Sequence, residues 1–129
     1  MLCDRDPVDT WTQGRVALLG DAAHPMLPYT AQGACMALED AVVIGPLLDC
    51  GADAMPQRLE KYGALRRERT ARVQLVAREL ARRLHHLEGA AARTRRNGML
   101  SAMSVDDLHG EVAWLHGPRD FADGSQQSA

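Results

Sequence analysis

The sequence predicts an α/β chain in which one short strand is followed mainly by helices. The strand is predicted at residues 15–19, a short apolar run with a β-branched Val16 and a glycine on each side. Residues 34–48 are rich in Ala, Met, Leu, Val and Ile. Residues 58–88 repeat apolar side chains at mostly three- and four-residue steps, which is typical of an amphipathic helix.

The first helix, at 34–48, is expected to be buried on nearly all sides, because its polar positions are confined mainly to Glu39 and Asp40. Pro46 cannot donate a backbone hydrogen bond and its ring clashes with the preceding turn. We therefore expect a kink or an early stop at Gly45-Pro46, followed by a loop over 49–56.

The second helix, at 58–88, carries many arginines, which could mark a surface for nucleic acid or anionic lipid. Glutamates are interspersed among them, and the formal net charge of the whole chain is −2. A solvated helix face is therefore the preferred interpretation, with neither nucleic acid nor membrane as a partner. The arginines concerned are Arg66, Arg67, Arg69, Arg72, Arg78, Arg82 and Arg83.

Composition limits the remaining possibilities. Three cysteines without a CxxC pair favour a reducing, cytoplasmic setting, and neither they nor His85-His86 have the spacing of metal ligands. No window is apolar enough for an export signal or a membrane span. A further short helix is predicted at 105–115 with Ser104 as its N-cap. We predict three parts: 1–50, a helical region at 51–117, and a disordered Gly-, Ser- and Gln-rich tail at 118–129.

The segment after the strand could contact a ligand. Asp21 follows Gly20 at the strand end, where a carboxylate can accept hydrogen bonds from a ribose or ribityl hydroxyl. A helix starting near Gly33 would present unpaired N–H groups and partial positive charge to an anionic group. Taken alone, each feature has an ordinary explanation: Gly-Asp is a common turn pair, and glycine is common where a loop meets a helix.

The whole run GRVALLGDAAHPMLPYTAQGACMALEDA, residues 14–41, resembles the second flavin-binding motif of the FAD-dependent aromatic hydroxylases. These are the single-component monooxygenases related to salicylate and 4-hydroxybenzoate hydroxylase. The resemblance implies that 1–50 is the C-terminal part of a Rossmann-like FAD-binding domain from a much longer chain. The N-terminal GxGxxG segment, which holds the adenosine half of FAD in that family, does not occur in this sequence.

The resemblance also implies roles for individual residues. Gly20 permits the turn, and Asp21 contacts the ribityl chain of FAD. The loop and the start of the helix pass beside the isoalloxazine ring, whose reduced form is anionic on its pyrimidine edge. The residues placed near the flavin in this way are Pro28, Ala31, Gln32 and Gly33.

Three further residues of the motif have roles that are less defined. Glu39 and Asp40 belong to the family pattern, and either a structural role or a ligand contact would account for them. His24 is a recurrent loop residue, for which packing is favoured over proton transfer. No residue of this chain is assigned as catalytic.

The implied function is hydroxylation of a small aromatic substrate with NAD(P)H and O2, as part of a longer enzyme. Flavin-dependent halogenases and epoxidases use the same motif and stay open. The alternative from another class is a truncated, non-catalytic helical module. Its apolar stripe at 59–87 would then drive self-association or pairing with a complementing N-terminal chain.

Overall fold

A two-stranded antiparallel hairpin leads into the helices. The computed structural model describes residues 4–116. Strand β1 (Thr12–Gln13) pairs with β2 (Val16–Ala17), with Thr12 opposite Ala17. Gly14 makes the turn at a φ of 57°. The observed strand β2 is therefore shorter than the strand predicted at 15–19, and it pairs with β1, the segment just before it.

The hairpin is followed by two short 3-10 turns, Gly20–Ala22 and Pro28–Thr30, and then by helices α1 (Gly33–Leu47) and α2 (Met55–Leu80). Together with the hairpin they form one compact unit, which ends at Leu80. Its core lies between α1, α2 and the hairpin. The buried apolar residues of this unit are Trp11, Ala23, Met36, Val43, Leu47, Leu59, Tyr62, Val73 and Ala77.

Helix α1 runs through Gly45-Pro46 and ends at Leu47, so the expected stop does not occur at this pair. The expectation that α1 is buried on nearly all sides is wrong. Only one stripe is buried, and on the other face Leu38 is 68% and Val42 is 56% exposed. The reason is that α1 packs on α2 and on the first 3-10 turn through a single face.

The second compact unit begins at Ala81. It contains a π-helical turn (Ala81–His85), α3 (Gly89–Ala102) and α4 (Val105–His116). The sequence did not predict α3, which buries none of its residues. The predicted helix α4 and its cap are confirmed: the Asp107 amide donates to Ser104 Oγ at 3.1 Å, and the Ser104 amide donates to Asp107 Oδ2 at 2.9 Å.

The outcome for the fold class is a mostly helical chain with one small antiparallel sheet. The three predicted parts of the chain stay a prediction, and the tail predicted at 118–129 lies outside the described residues. Within residues 4–116, no helix combines the length and the apolar character that crossing a membrane requires.

Candidate functional site

The loop between β2 and α1 starts at Gly20, where both the backbone conformation and the packing favour glycine. Gly20 is buried with a φ of 58°, a conformation that L side chains rarely adopt. A Cβ added at this position would lie only 3.3 Å from Cβ of Ala37 on α1. The Gly20 carbonyl accepts hydrogen bonds from the amides of Ala23 and His24, at 2.8 and 2.9 Å.

Asp21 lies in the turn that Gly20 opens, and it is exposed. A Cβ built on Gly33 would lie 3.9 Å from Oδ1 of Asp21, so the carboxylate lies beside the first residue of α1. Among the described residues, no side chain caps this end of the helix by a hydrogen bond. The fold therefore brings together the carboxylate and the helix N-terminus that sequence reasoning singled out separately.

The second half of the loop turns at Pro28 and reverses at Ala31. Pro28 begins the second 3-10 turn, and the Ala31 amide donates to its carbonyl at 2.9 Å. Ala31 has a φ of 52°, which is the left-handed region for a residue that carries a Cβ. Both residues are exposed, whereas Gln32 is buried, and its carbonyl accepts the Met36 amide at 2.8 Å.

Beneath the loop, the fully buried Asp40 side chain joins three elements. Its Oδ2 accepts hydrogen bonds from the Gly20 amide at 3.1 Å and from His24 Nε2 at 2.7 Å. Its Oδ1 accepts one from Arg66 Nε at 2.8 Å. Burial raises the pKa of Asp40, but the hydrogen bonds from His24, Arg66 and Gly20 outweigh it, and the pKa lies below its ordinary value. Asp40 is therefore a buried carboxylate anion.

Glu39 extends this cluster toward solvent. Arg66 Nη1 donates to its Oε2 at 2.8 Å, and Arg69 donates to both of its oxygens, also at 2.8 Å. Burial raises the pKa of Glu39, and the two arginines lower it by more. The bonds of Glu39 and Asp40 to protein groups favour a structural role for both residues.

Sequence reasoning missed a stripe of polar side chains along one face of α2. The stripe recurs every four residues, the spacing at which side chains share one helix face. Its members are Tyr62, Arg66, Thr70, Gln74 and Arg78. The Tyr62 hydroxyl donates to the Leu18 carbonyl at 3.3 Å, and Gln74 Nε2 donates to the Pro25 carbonyl at 2.9 Å. The four-residue spacing itself was the available signal.

The interpretation of the arginines as a solvated face is therefore wrong for three of them. Arg66 is 2% exposed, Arg69 is bound to Glu39, and Arg78 pairs with Asp4 and Asp6. The physical reason is that acidic residues from α1 and from the start of the described chain face this side of α2.

His24 is a packing residue, as expected. Its side chain is fully buried, with the ring centroid 5.5 Å from that of Trp11. Nε2 is bound to Asp40, and Nδ1 has no hydrogen-bond partner among the described residues. Such a ring lies away from the exposed side of the loop, where Asp21 and Ala31 stand.

Comparison with known proteins identifies the family of this chain. Residues 4–78 match a family described as FAD binding domain. The chain is 46% identical over 118 residues to 3-hydroxybenzoate 6-hydroxylase 1 of Aquipseudomonas alcaligenes, covering 91% of this chain and 29% of that protein. It is 43% identical over 116 residues to 3-amino-4-hydroxybenzoate 2-monooxygenase of Streptomyces cremeus, covering 90% of this chain and 28% of that protein.

A solved structure, a salicylate hydroxylase substrate complex, superposes with a TM-score of 0.72 at 33% sequence identity. The match covers 94% of this chain and 28% of the salicylate hydroxylase chain. The chain thus spans less than a third of the length of these three relatives. Because the family match includes the hairpin, the loop, α1 and most of α2, the chain belongs to the FAD binding domain family.

Proposed function

We propose that the chain supplies the flavin-contacting loop of an FAD-dependent monooxygenase that hydroxylates a small aromatic substrate. One observation carries the proposal: the exposed Asp21 carboxylate lies beside Gly33 at the N-terminus of α1. The fold thus offers a hydrogen-bond acceptor and a partial positive charge side by side. These are complementary to a polyhydroxyl chain and to an anionic ring edge, which FAD combines in one molecule.

The residues of the loop fit the cofactor. Asp21 would accept a hydrogen bond from a ribityl hydroxyl, and the first amides of α1 would face the pyrimidine edge of the reduced ring. Pro28 and Ala31 are exposed and can lie against the ring, whereas the buried Gln32 contributes mainly its backbone.

Gly33 gives this assignment a physical test. The nearest atoms to a Cβ added there lie at 3.9 Å, which is ordinary van der Waals contact. The chain itself therefore does not require glycine at this position. Close approach of a ligand to the backbone would require it.

When bound, FAD supplies the oxygen-transfer chemistry, with NAD(P)H as reductant and O2 as oxidant. The residues of this chain orient the cofactor, and none of them is assigned a proton transfer. The relatives are named for 3-hydroxybenzoate, 3-amino-4-hydroxybenzoate and salicylate. Each of these is a hydroxylated benzoate, so we propose a substrate of this class.

The test is a titration of the folded 129-residue chain with FAD, followed by flavin fluorescence and the visible absorption band. We expect saturable binding that Asp21→Asn and Gly33→Ala each weaken about tenfold, the effect of losing one charged hydrogen bond or one close contact. Gly45→Ala is the matched control, because this exposed glycine of α1 has no atom within 4 Å of the added Cβ. Full FAD binding by folded Asp21→Asn and Gly33→Ala chains would overturn the proposal.

The alternative of a non-catalytic helical module has a narrower basis in the structure. Much of the predicted stripe at 59–87 is used inside the first unit, where Leu59, Tyr62 and Val73 are buried. The exposed apolar residues Leu38 and Val42 of α1 are what favour association, with a second copy or with a complementing N-terminal chain. Sedimentation over a wide concentration range tests self-association, and a constant monomer mass would count against it.

A further inference from the structure

The buried carboxylate of Asp40 contacts both ends of the turn that carries Asp21. A single oxygen, Oδ2, accepts hydrogen bonds from the Gly20 amide and from the His24 ring. Gly20 and His24 are four residues apart, and the His24 amide also donates to the Gly20 carbonyl. Residues 20–24 therefore form a closed turn, and one buried oxygen atom binds its first and last residues.

We propose that Asp40 is a positioning residue, which fixes the Gly20–Asp21 turn and thereby sets where the Asp21 carboxylate stands beside Gly33. This inference rests on the proposed function of the loop, and it assigns that site a determinant outside the residues that would touch the cofactor. Asp40 is fully buried, so it acts on the ligand only through the turn.

The hydrogen bonds around Gly20 explain how the buried Asp40 fixes the position of Asp21. The Gly20 amide is held by Asp40, and the Gly20 carbonyl is held by the amides of Ala23 and His24. With both peptide groups fixed and φ held at 58°, the direction of the chain into Asp21 is determined. Gly20 also contacts α1, the helix whose first residue is Gly33. The backbone leading into Asp21 is thus tied to α1, the helix that begins at Gly33.

Arg66 keeps the carboxylate in the required orientation. Its Nε binds Oδ1 at 2.8 Å, which leaves Oδ2 directed at the turn. The same guanidinium binds Glu39 through Nη1. Glu39 has no hydrogen bond to residues 20–24 in the described structure, although it is the neighbour of Asp40 on α1 and shares its arginine.

Glu39 therefore provides a matched control. Asp40→Asn conserves shape but replaces one acceptor oxygen by an NH2 group, which must then face Arg66 Nε or the donors of the turn. Glu39→Gln makes the same change one residue earlier and leaves the bonds to Gly20 and His24 intact. A general loss of stability would affect both variants, whereas loss of positioning would follow Asp40→Asn alone.

The first experiment measures amide hydrogen exchange by NMR on the 15N-labelled 129-residue chain, without FAD. In the unsubstituted chain we expect the Gly20 amide to exchange at least about tenfold more slowly than that of the exposed Gly51, after correction for intrinsic rates. In Asp40→Asn this protection should fall about tenfold, and in Glu39→Gln it should stay within about twofold.

The second experiment repeats the FAD titration on the same variants. We expect Asp40→Asn to weaken FAD binding about tenfold and to change the fluorescence of the bound flavin, with Glu39→Gln within about twofold of the unsubstituted chain. Amide exchange decides whether Asp40 fixes the turn even if the unsubstituted chain alone does not bind FAD.

Three outcomes would overturn the inference. The first is an unprotected Gly20 amide in the unsubstituted chain, a measurement that holds even if Asp40→Asn does not fold. The second is a folded Asp40→Asn chain in which that amide stays protected. The third is equal loss of protection in the two variants.

Discussion

The loop at residues 20–33 has a buried inner side and an exposed outer side, and the two sides differ in how far contacts within the chain account for their residues. On the inner side, the residues Gly20, His24, Asp40 and Arg66 are buried and joined by hydrogen bonds. On the outer side, Asp21, Pro28 and Ala31 are exposed. Contacts within the chain account for the inner side. They do not require the glycine at 33, and a bound ligand would account for it together with the exposed carboxylate at 21.

The largest effect is expected from removing Arg66, the buried cation on the inner side of the loop. Arg66→Met keeps much of the side-chain volume but leaves the buried Asp40 without its arginine. We expect the free energy of unfolding to fall by about 3–5 kcal/mol, the cost of breaking a buried ion pair from one side. Urea denaturation would measure it as a lower midpoint with an unchanged slope.

Arg58→Met is the control for this substitution, because Arg58 is exposed on the same helix. Its effect should stay within about 0.5 kcal/mol. A loss of under about 1 kcal/mol for Arg66→Met would contradict the view that the inner side depends on this cluster.

The second largest effect is expected from acid, which should reduce the stabilisation that Asp40 and Glu39 provide on the inner side. The pKa values of Asp40 and Glu39 in the folded chain lie below their ordinary values of 3.8 and 4.5. The unfolded chain therefore takes up protons first as the pH falls. The stabilisation is complete above about pH 5 and is lost as the pH falls through the lowered folded-state values. The loss should be smaller than for Arg66→Met, because a protonated carboxyl group still accepts hydrogen bonds.

The measurement is the free energy of unfolding by urea at a series of pH values from about 7 to 2. Asp40→Asn and Glu39→Gln should each flatten the acid limb, since each removes one titrating group. An unchanged acid limb in both variants would show that other carboxylates cause it.

Gly20→Ala tests the point at which the inner and outer sides meet. The substitution places a Cβ in a left-handed residue and 3.3 Å from Cβ of Ala37. Gly14→Ala is matched in φ, at 57°, but has no atom within 4 Å of the added Cβ. Both should lose about 1–2 kcal/mol from backbone strain. Gly20→Ala should lose about 1 kcal/mol more from crowding, measured by thermal or urea unfolding. Equal losses would mean that α1 moves aside without cost.

Local features were predictable from the sequence, and long-range pairings were not. The cap of α4 at Ser104 depends on neighbours within a few residues. The ion pair of Asp40 with Arg66 joins residues 26 apart, and no spacing rule identifies such partners. The resemblance placed Glu39 and Asp40 in a motif, but only the fold showed that Arg66 and Arg69 bind them.

Two differences from the predicted helices concern burial. A count of apolar residues predicted that α1 is buried all round, but burial depends on which faces have neighbours, and α1 has them on one side. Helix α3 was not predicted, and it buries none of its residues; its large apolar side chains, Met99 and Leu100, lie only in its last turn. The residues proposed to contact FAD stay a prediction, because their argument depends on a ligand and not on contacts within the chain.

The smallest effect on the free energy of unfolding is expected from a substitution on the outer side, at Ala31. Ala31 holds a φ of 52°, and this strained residue lies where the loop turns into α1. Ala31→Gly should raise the free energy of unfolding by up to about 1 kcal/mol, because relief of left-handed strain exceeds the extra entropy of the unfolded chain. Ala41→Gly, at an exposed position inside α1, makes the same chemical change and should lose about 1 kcal/mol. Opposite signs would show that the strain resides in the loop at Ala31, on the side proposed to face the flavin. A loss at both positions would mean that Ala31 is held there without strain, and that the outer side is as well satisfied by the chain as the inner one.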